Sequence, residues 1–115
     1  MTILHLVLLE FKQDVAAVTQ QGLLQEFLTL PQKCRDRSQN LYIKGIRAGS
    51  ECSPTAKSNF THLFIIEFES LEQREYYKSV DPVHADFASR ILPLLSNVTI
   101  TAFQESDLCS DDIRL

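Results

Sequence analysis

The chain has 115 residues, of which 44% are hydrophobic, and a net charge of −4. That length supports one domain with one modest core. Without a basic cluster the acidic balance excludes a nucleic-acid footprint and adhesion to an anionic membrane surface, and no apolar run reaches the roughly 20 residues that span a bilayer. The first residues, Met1-Thr2-Ile3-Leu4-His5, lack the charged region of a secretion signal. A cytoplasmic setting is therefore expected. Cys34, Cys52 and Cys109 are odd in number and widely spaced. They form neither a C-x-x-C pair nor a zinc pattern, so reduced thiols and no metal are expected. The Asn59-Phe60-Thr61 and Asn97-Val98-Thr99 sequons have no use in a chain that is not secreted.

In chain order, residues 3–11 read as a strand, with His5, Val7, Leu9 and Phe11 on one face and Leu4, Leu6 and Leu8 on the other. Both faces are apolar, which marks a central strand. Asp14 is the expected N-cap of a helix running to about Thr29. Val15, Val18, Gly22, Leu23, Phe27 and Leu30 form its stripe, and Pro31 ends it. The polar run 32–40 has room for a short helical turn. Residues 41–48 read as a second strand, interrupted by Gly45, and 49–59, with Pro54, as a surface loop.

Residues 61–69 form a third strand without Gly or Pro. His62, Phe64, Ile66 and Phe68 share one face, and Thr61, Leu63, Ile65 and Glu67 the other, so this strand is central too. Ser70 with Gln73 fits a capping box and starts a helix through Tyr76 and Tyr77. Asp81-Pro82 restarts a helix, as cap and first helical residue. His84, Phe87, Ala88, Ile91 and Leu95 make its stripe, and Pro93 should distort its last turn. Residues 98–103 are a fourth strand. Residues 1–105 form the expected domain, and 106–115 an acidic tail without periodicity, expected to be loose.

The order strand, helix, strand, strand, helices, strand predicts an α+β fold, a four-stranded antiparallel sheet with helices on one face. Helices on one side leave the other apolar face bare. A second copy of the chain is the simplest cover, so a homodimer is expected.

Three histidines and a tyrosine carry the candidate chemistry. His84 lies in the first turn of its helix on the apolar stripe, where the helix dipole favours the neutral imidazole, the form competent as a base. The competing role is a core histidine bonded to backbone. His5 and His62 sit on apolar strand faces, toward opposite ends if the strands are antiparallel neighbours, which speaks against a shared metal. Tyr76 and Tyr77 point roughly 100° apart on a helix, so only one can face a pocket squarely. No Ser-His-Asp order, phosphate loop or dinucleotide fingerprint is present.

Several stretches together resemble the stress-responsive dimeric α/β-barrel domain family. They are His5-Leu6-Val7-Leu8-Leu9-Glu10-Phe11-Lys12, Ile43-Lys44-Gly45-Ile46-Arg47-Ala48-Gly49, residues 60–70, Tyr76-Tyr77, Asp81-Pro82-Val83-His84 and Leu92-Pro93-Leu94-Leu95. The resemblance implies a ferredoxin-like dimeric α/β barrel with a pocket between sheet and helices in each subunit. One branch comprises polyketide cyclases of the olivetolic acid cyclase type, which close a linear poly-β-ketone by aldol condensation without a cofactor. Their pocket residues match His5, His62, Tyr77 and His84, with one extra residue here between Tyr77 and His84. The resemblance thus implies His84 as general base, Tyr77 as carbonyl partner, and His5 and His62 as substrate-binding residues; Phe64, on the same strand face as His62, is a further substrate-binding candidate. It also implies a small-molecule substrate and functional coupling to a polyketide synthase. The other readings are a non-catalytic homodimer that binds an apolar small molecule, and a cofactor-free monooxygenase of the wider barrel superfamily.

Overall fold

The computed structural model describes residues 1–53 and 59–106. Pro54, Cys109 and the expected tail from residue 107 onward lie outside the described residues. The strands are β1 (Ile3–Phe11), β2 (Gly45–Ser50), β3 (His62–Phe68) and β4 (Leu95–Gln104), and the helices are α1 (Ala17–Leu28), α2 (Leu30–Lys33), α3 (Leu71–Ser79) and α4 (Pro82–Ile91). All four strands pair antiparallel in the order β2-β3-β1-β4. The two strands read as apolar on both faces are therefore the central ones.

Alternation along β1 separates the two faces. Ile3, His5, Val7, Leu9 and Phe11 are buried, while Leu4, Leu6, Leu8 and Glu10 are half-buried. On β3, Phe64, Ile66 and Phe68 are buried and Leu63 and Ile65 half-buried. The buried set forms one core with Leu23 and Phe27 of α1, Leu30 of α2, Tyr77 of α3, and Phe87 and Ile91 of α4. Phe27 stacks on Phe64 with ring centroids 4.0 Å apart and meets Phe87 at 5.0 Å, tying helices to sheet. The molecule measures 44 × 40 × 18 Å, two layers thick.

The helix starts follow the expected chemistry at two of three places. Ser70 Oγ accepts the Gln73 N–H at 3.1 Å, and Gln73 Oε1 accepts the N–H of Glu69. Asp81 Oδ1 accepts the N–H groups of Val83 and His84, with Pro82 first in the helix. At α1 the expectation of an Asp14 cap fails. The N-cap is Ala16, without a side-chain bond, because the Val15 N–H closes a turn onto the Lys12 carbonyl and delays the helix. Val18 consequently faces solvent at 79% exposure instead of joining the stripe. Pro31 does end α1, but it also opens α2, where a missing N–H costs nothing.

Strand β2 begins four residues later than expected. Leu41 bridges to Arg35 instead, and Tyr42 turns inward, its ring 6.1 Å from Phe68 and its hydroxyl bonded to Asp81, before the Lys44 N–H rejoins β3 at the Glu67 carbonyl. Pro93 converts the end of α4 into a 3₁₀ turn, Leu92–Leu94. Strand β4 then starts at Leu95, three residues earlier than expected. A bulge at Ser96 shifts its register, so that Leu95 pairs with Phe11 and is buried on the same side as Val98, Ile100 and Ala102, the partners of Leu9, Val7 and His5. Among the described residues, no helix is long and apolar enough to cross a membrane.

Candidate active site

Strand parity aims His5 at the helices, and α3 and α4 bring the remaining groups to it. Arg74 and Tyr77 lie one turn apart on the buried face of α3. His84 occupies the first turn of α4, which the Asp81 carboxylate caps. The Tyr77 and His84 rings lie 4.0 Å apart, and the His5 ring stands edge-on to Tyr77 at 5.6 Å. These three side chains and Lys78 border a cavity of about 220 Å³, otherwise apolar and walled by Val7, Leu9, Phe27, Phe87 and Ile91. Leu92, Val98 and Ile100, all exposed, form its rim toward β4.

Burial sets the protonation states. The His5 pKa falls to about 4, first through desolvation and then through the positive charges of Arg74, His84 and Lys78. His84 is lowered by desolvation, against a smaller upward pull from the Asp81 charge and the Tyr77 carbonyl. Tyr77 is pushed above the usual phenol range by burial, with Cys34 and Asp81 adding to it. Both imidazoles are therefore neutral near pH 7, and the phenol keeps its proton. Its hydroxyl makes no hydrogen bond among the described residues and is not sealed from the cavity. The arrangement offers a neutral base, His84, beside a neutral donor, Tyr77, in an apolar space.

The same burial makes stability pH-dependent. A histidine whose folded pKa lies below its unfolded value stabilises the fold fully above the unfolded pKa of 6.5, and that contribution disappears as pH falls toward about 4. A shift of that size is worth about 3 kcal/mol. Thermal melts should therefore fall steeply between pH 6.5 and 4, and His5→Phe should flatten the slope. An unchanged slope in that variant would place the acid sensitivity elsewhere.

The other candidates separate. His62 pairs with Leu9 while His5 pairs with Ile66. That offset of four positions amounts to roughly 13 Å. His62 instead lines a groove with Gly49, Cys52 and Phe60, its Nδ1 2.9 Å from Thr61 Oγ1. His62 thus lies apart from the cavity that His5 borders, at the opposite end of the antiparallel pair, as the strand reading expected, although the resemblance implied one pocket for both. Phe64 stands behind Phe27 and forms no part of the cavity wall. Tyr76 turns away from the site, its hydroxyl bonded to the Arg35 carbonyl at 2.9 Å and its ring under the Arg37 guanidinium. Among the described residues, no three His, Cys, Asp or Glu side chains are grouped as metal ligands would be.

Two buried charges, Arg74 and Asp81, stand behind the site. Arg74 donates from Nε to His5 Nδ1 at 3.0 Å. The spacing of three from Tyr77 was the available signal. Asp81 was read as a cap alone, yet its second oxygen accepts the Tyr42 hydroxyl at 2.5 Å and lies against the Cys34 thiol, whose pKa burial and that carboxylate push up to about 12.

A family model described as the stress-responsive A/B barrel domain matches residues 3–104. No curated protein matches the chain. Among solved structures, the chain is similar to the Arabidopsis thaliana protein At3g17210, at 24% identity and a TM-score of 0.75 over 94% of this chain and 99% of that one. It is similar to a hydroxynitrile lyase from Passiflora edulis at 14% identity and a TM-score of 0.77, over 95% and 97%. A dimeric protein of unknown function with a ferredoxin-like fold, from Bacteroides fragilis, matches at 18% and 0.66 over 90% and 96%. Likeness at such identities establishes the ferredoxin-like fold alone.

Proposed function

The chain belongs to the stress-responsive A/B barrel domain family, and from that premise we propose a cofactor-free acid–base enzyme that closes a short, linear polyketide-like substrate by intramolecular aldol condensation. His84 takes a proton from the carbon between two carbonyls, and the electron pair of that C–H bond moves onto the adjoining oxygen, where the Tyr77 hydroxyl holds it. The enolate carbon then attacks a second carbonyl carbon of the same chain. The new C–C bond leaves an alkoxide, which recovers the proton from the His84 imidazolium. The observation that carries this reading is the Tyr77–His84 pair, rings 4.0 Å apart, at an otherwise apolar cavity. The Passiflora edulis lyase adds only a fold-level analogy. A polyketide synthase is the class of enzyme that would supply such a substrate. Cys34 and Cys52 are free thiols, as a reducing cytoplasm would keep them.

The cavity, at about 220 Å³, is smaller than the roughly 300–1,000 Å³ of common ligand sites. It selects a short chain, and it also favours a second reading, a non-catalytic binder of a small apolar molecule. Deuterium exchange at the carbon between the carbonyls of ethyl acetoacetate, followed by NMR, separates the two. The enzyme accelerates exchange above a buffer control, whereas the binder does not.

We further propose a homodimer that buries the open sheet face. Leu4, Leu6, Leu8, Leu63 and Ile65 line that face only half-buried, and the Bacteroides fragilis neighbour is described as dimeric. Light scattering at micromolar concentration should give about twice 13.1 kDa, and Leu6→Glu should give the single mass. A folded monomer of the unaltered chain would overturn the dimer.

A further inference from the structure

We propose that Arg74 is a positioning residue that confines the His5 proton to Nε2, making His5 a hydrogen-bond donor to a carbonyl oxygen in the cavity. The inference rests on the reading that the cavity accepts a carbonyl compound. Its first half, the tautomer, stands on geometry alone.

A guanidinium has five donors and no acceptor. Arg74 Nε lies 3.0 Å from His5 Nδ1, so Nδ1 must present its lone pair. The single proton of the neutral ring then sits on Nε2. Arg74 is well placed to enforce this. It is 9% exposed, and its Nη1 is anchored to Glu75 at 2.8 Å. The ring plane is fixed from two sides, by Tyr77 edge-on at 5.6 Å and Phe68 edge-on at 6.2 Å. Double protonation is opposed by burial and by the charges facing the ring, Arg74, Lys78 and, when protonated, His84.

Nε2–H therefore has no protein acceptor among the described residues and is not sealed from the cavity. His5 and the Tyr77 hydroxyl thus form a pair of neutral donors beside the His84 base. Such a pair suits an oxygen that becomes an enolate, because preorganised donors act most strongly in a dry site. His5 cannot serve as the base while Arg74 occupies its lone pair. The division of labour between the two imidazoles is thereby set by a residue that never touches substrate.

The test is a long-range ¹H–¹⁵N spectrum of the full chain with ¹⁵N-labelled histidine, assigned by His5→Phe. The expected pattern for His5 is Nε2–H alone. Arg74→Lys, again a pure donor, should keep it. Arg74→Glu places an acceptor against Nδ1 and should move the proton there. Acetylacetone, used as the carbonyl probe, should shift the Nε2–H resonance in the unaltered protein. With a substrate, Arg74→Glu should lower kcat by about 10²-fold with little change in KM, the usual loss of one oxyanion donor, and Arg74→Lys should recover most of it. An Nδ1–H pattern in the unaltered protein overturns the proposal, as does an Nε2–H resonance indifferent to acetylacetone. If Arg74→Glu does not fold, Arg74→Met serves, and a pure Nε2–H pattern there would also overturn it. The expected tautomers and probe shift without any exchange or turnover would support the proposal and count against the enzyme reading alone.

Discussion

Replacing His84 by alanine should lower deuterium exchange and cyclisation by roughly 10²–10⁴-fold, the usual cost of losing a general base, while the chain keeps close to its melting temperature. The physical ground is its location. The imidazole is only half-buried and borders the cavity, and the Tyr77 backbone carbonyl accepts from one ring nitrogen, which leaves the other as the base. The His84 backbone N–H, which bonds Asp81, survives the substitution. Desolvation lowers the His84 pKa, so the base form persists below the ordinary histidine range near 6.5. The acid limb of the rate profile should accordingly lie below pH 6.5. Tyr77→Phe deletes only the hydroxyl and should slow the same step, by about 10²-fold. If both variants retain full activity on a substrate that the unaltered chain turns over, the catalytic assignment of this pair is wrong. A large fall in melting temperature for His84→Ala, with surviving activity, would make His84 a structural residue.

The largest effect on stability is expected at Asp81. Its side chain is 1% exposed and performs two tasks. One oxygen caps α4 through the N–H groups of Val83 and His84, and the other accepts the Tyr42 hydroxyl. Asp81→Ala removes a cap, worth about 1 kcal/mol, and strands a buried hydroxyl, worth about 1–3 kcal/mol. The sum, about 2–4 kcal/mol, corresponds to a drop in melting temperature of roughly 10–25 °C for a domain of this size. Asp81→Asn keeps an oxygen for the cap or for Tyr42 and should lose less. Tyr42→Phe in the Asp81→Ala background should recover part of the loss, because the stranded hydroxyl is gone. Additive losses in that double variant would mean that the two side chains do not act together.

The proposed site inherits its precision from this structural pair. Asp81 holds the first turn of α4, and that turn carries His84. Tyr42 reaches it from the segment ahead of β2, which explains why Tyr42 and Ile43 stand outside the β2–β3 ladder. An irregular stretch there is the consequence of anchoring the helix that bears His84.

Local patterns determined much of the fold. Apolar residues on both faces of β1 and β3 marked both as central strands, and the two-residue alternation put His5 on the same face as Val7 and Leu9. The Ser70 and Asp81 caps named the starts of α3 and α4, because a cap is a bond between residues two or three apart. Pro93 announced a distorted last turn for an equally local reason, its missing N–H, and the structure makes that turn 3₁₀. Where the local signal was ambiguous, tertiary packing decided. Asp14 had the chemistry of a cap but was displaced by a turn at Val15. The bulge at Ser96 turned Leu95 onto the core side, which no alternation in β4 announces.

The site divides along the same line. Its residue types were legible: a histidine on the apolar stripe of α4, a tyrosine on α3 and a histidine on β1 all border one cavity. Which residues meet was a matter of register between segments far apart in the chain. Antiparallel pairing of β1 with β3 sent His62 to the far end, roughly 13 Å from His5. The bond from Arg74 to His5 spans 69 positions. A contact of that kind leaves no periodicity for a sequence to display, since it arises only when α3 docks on the sheet, and it is docking that decides which nitrogen of His5 keeps its proton.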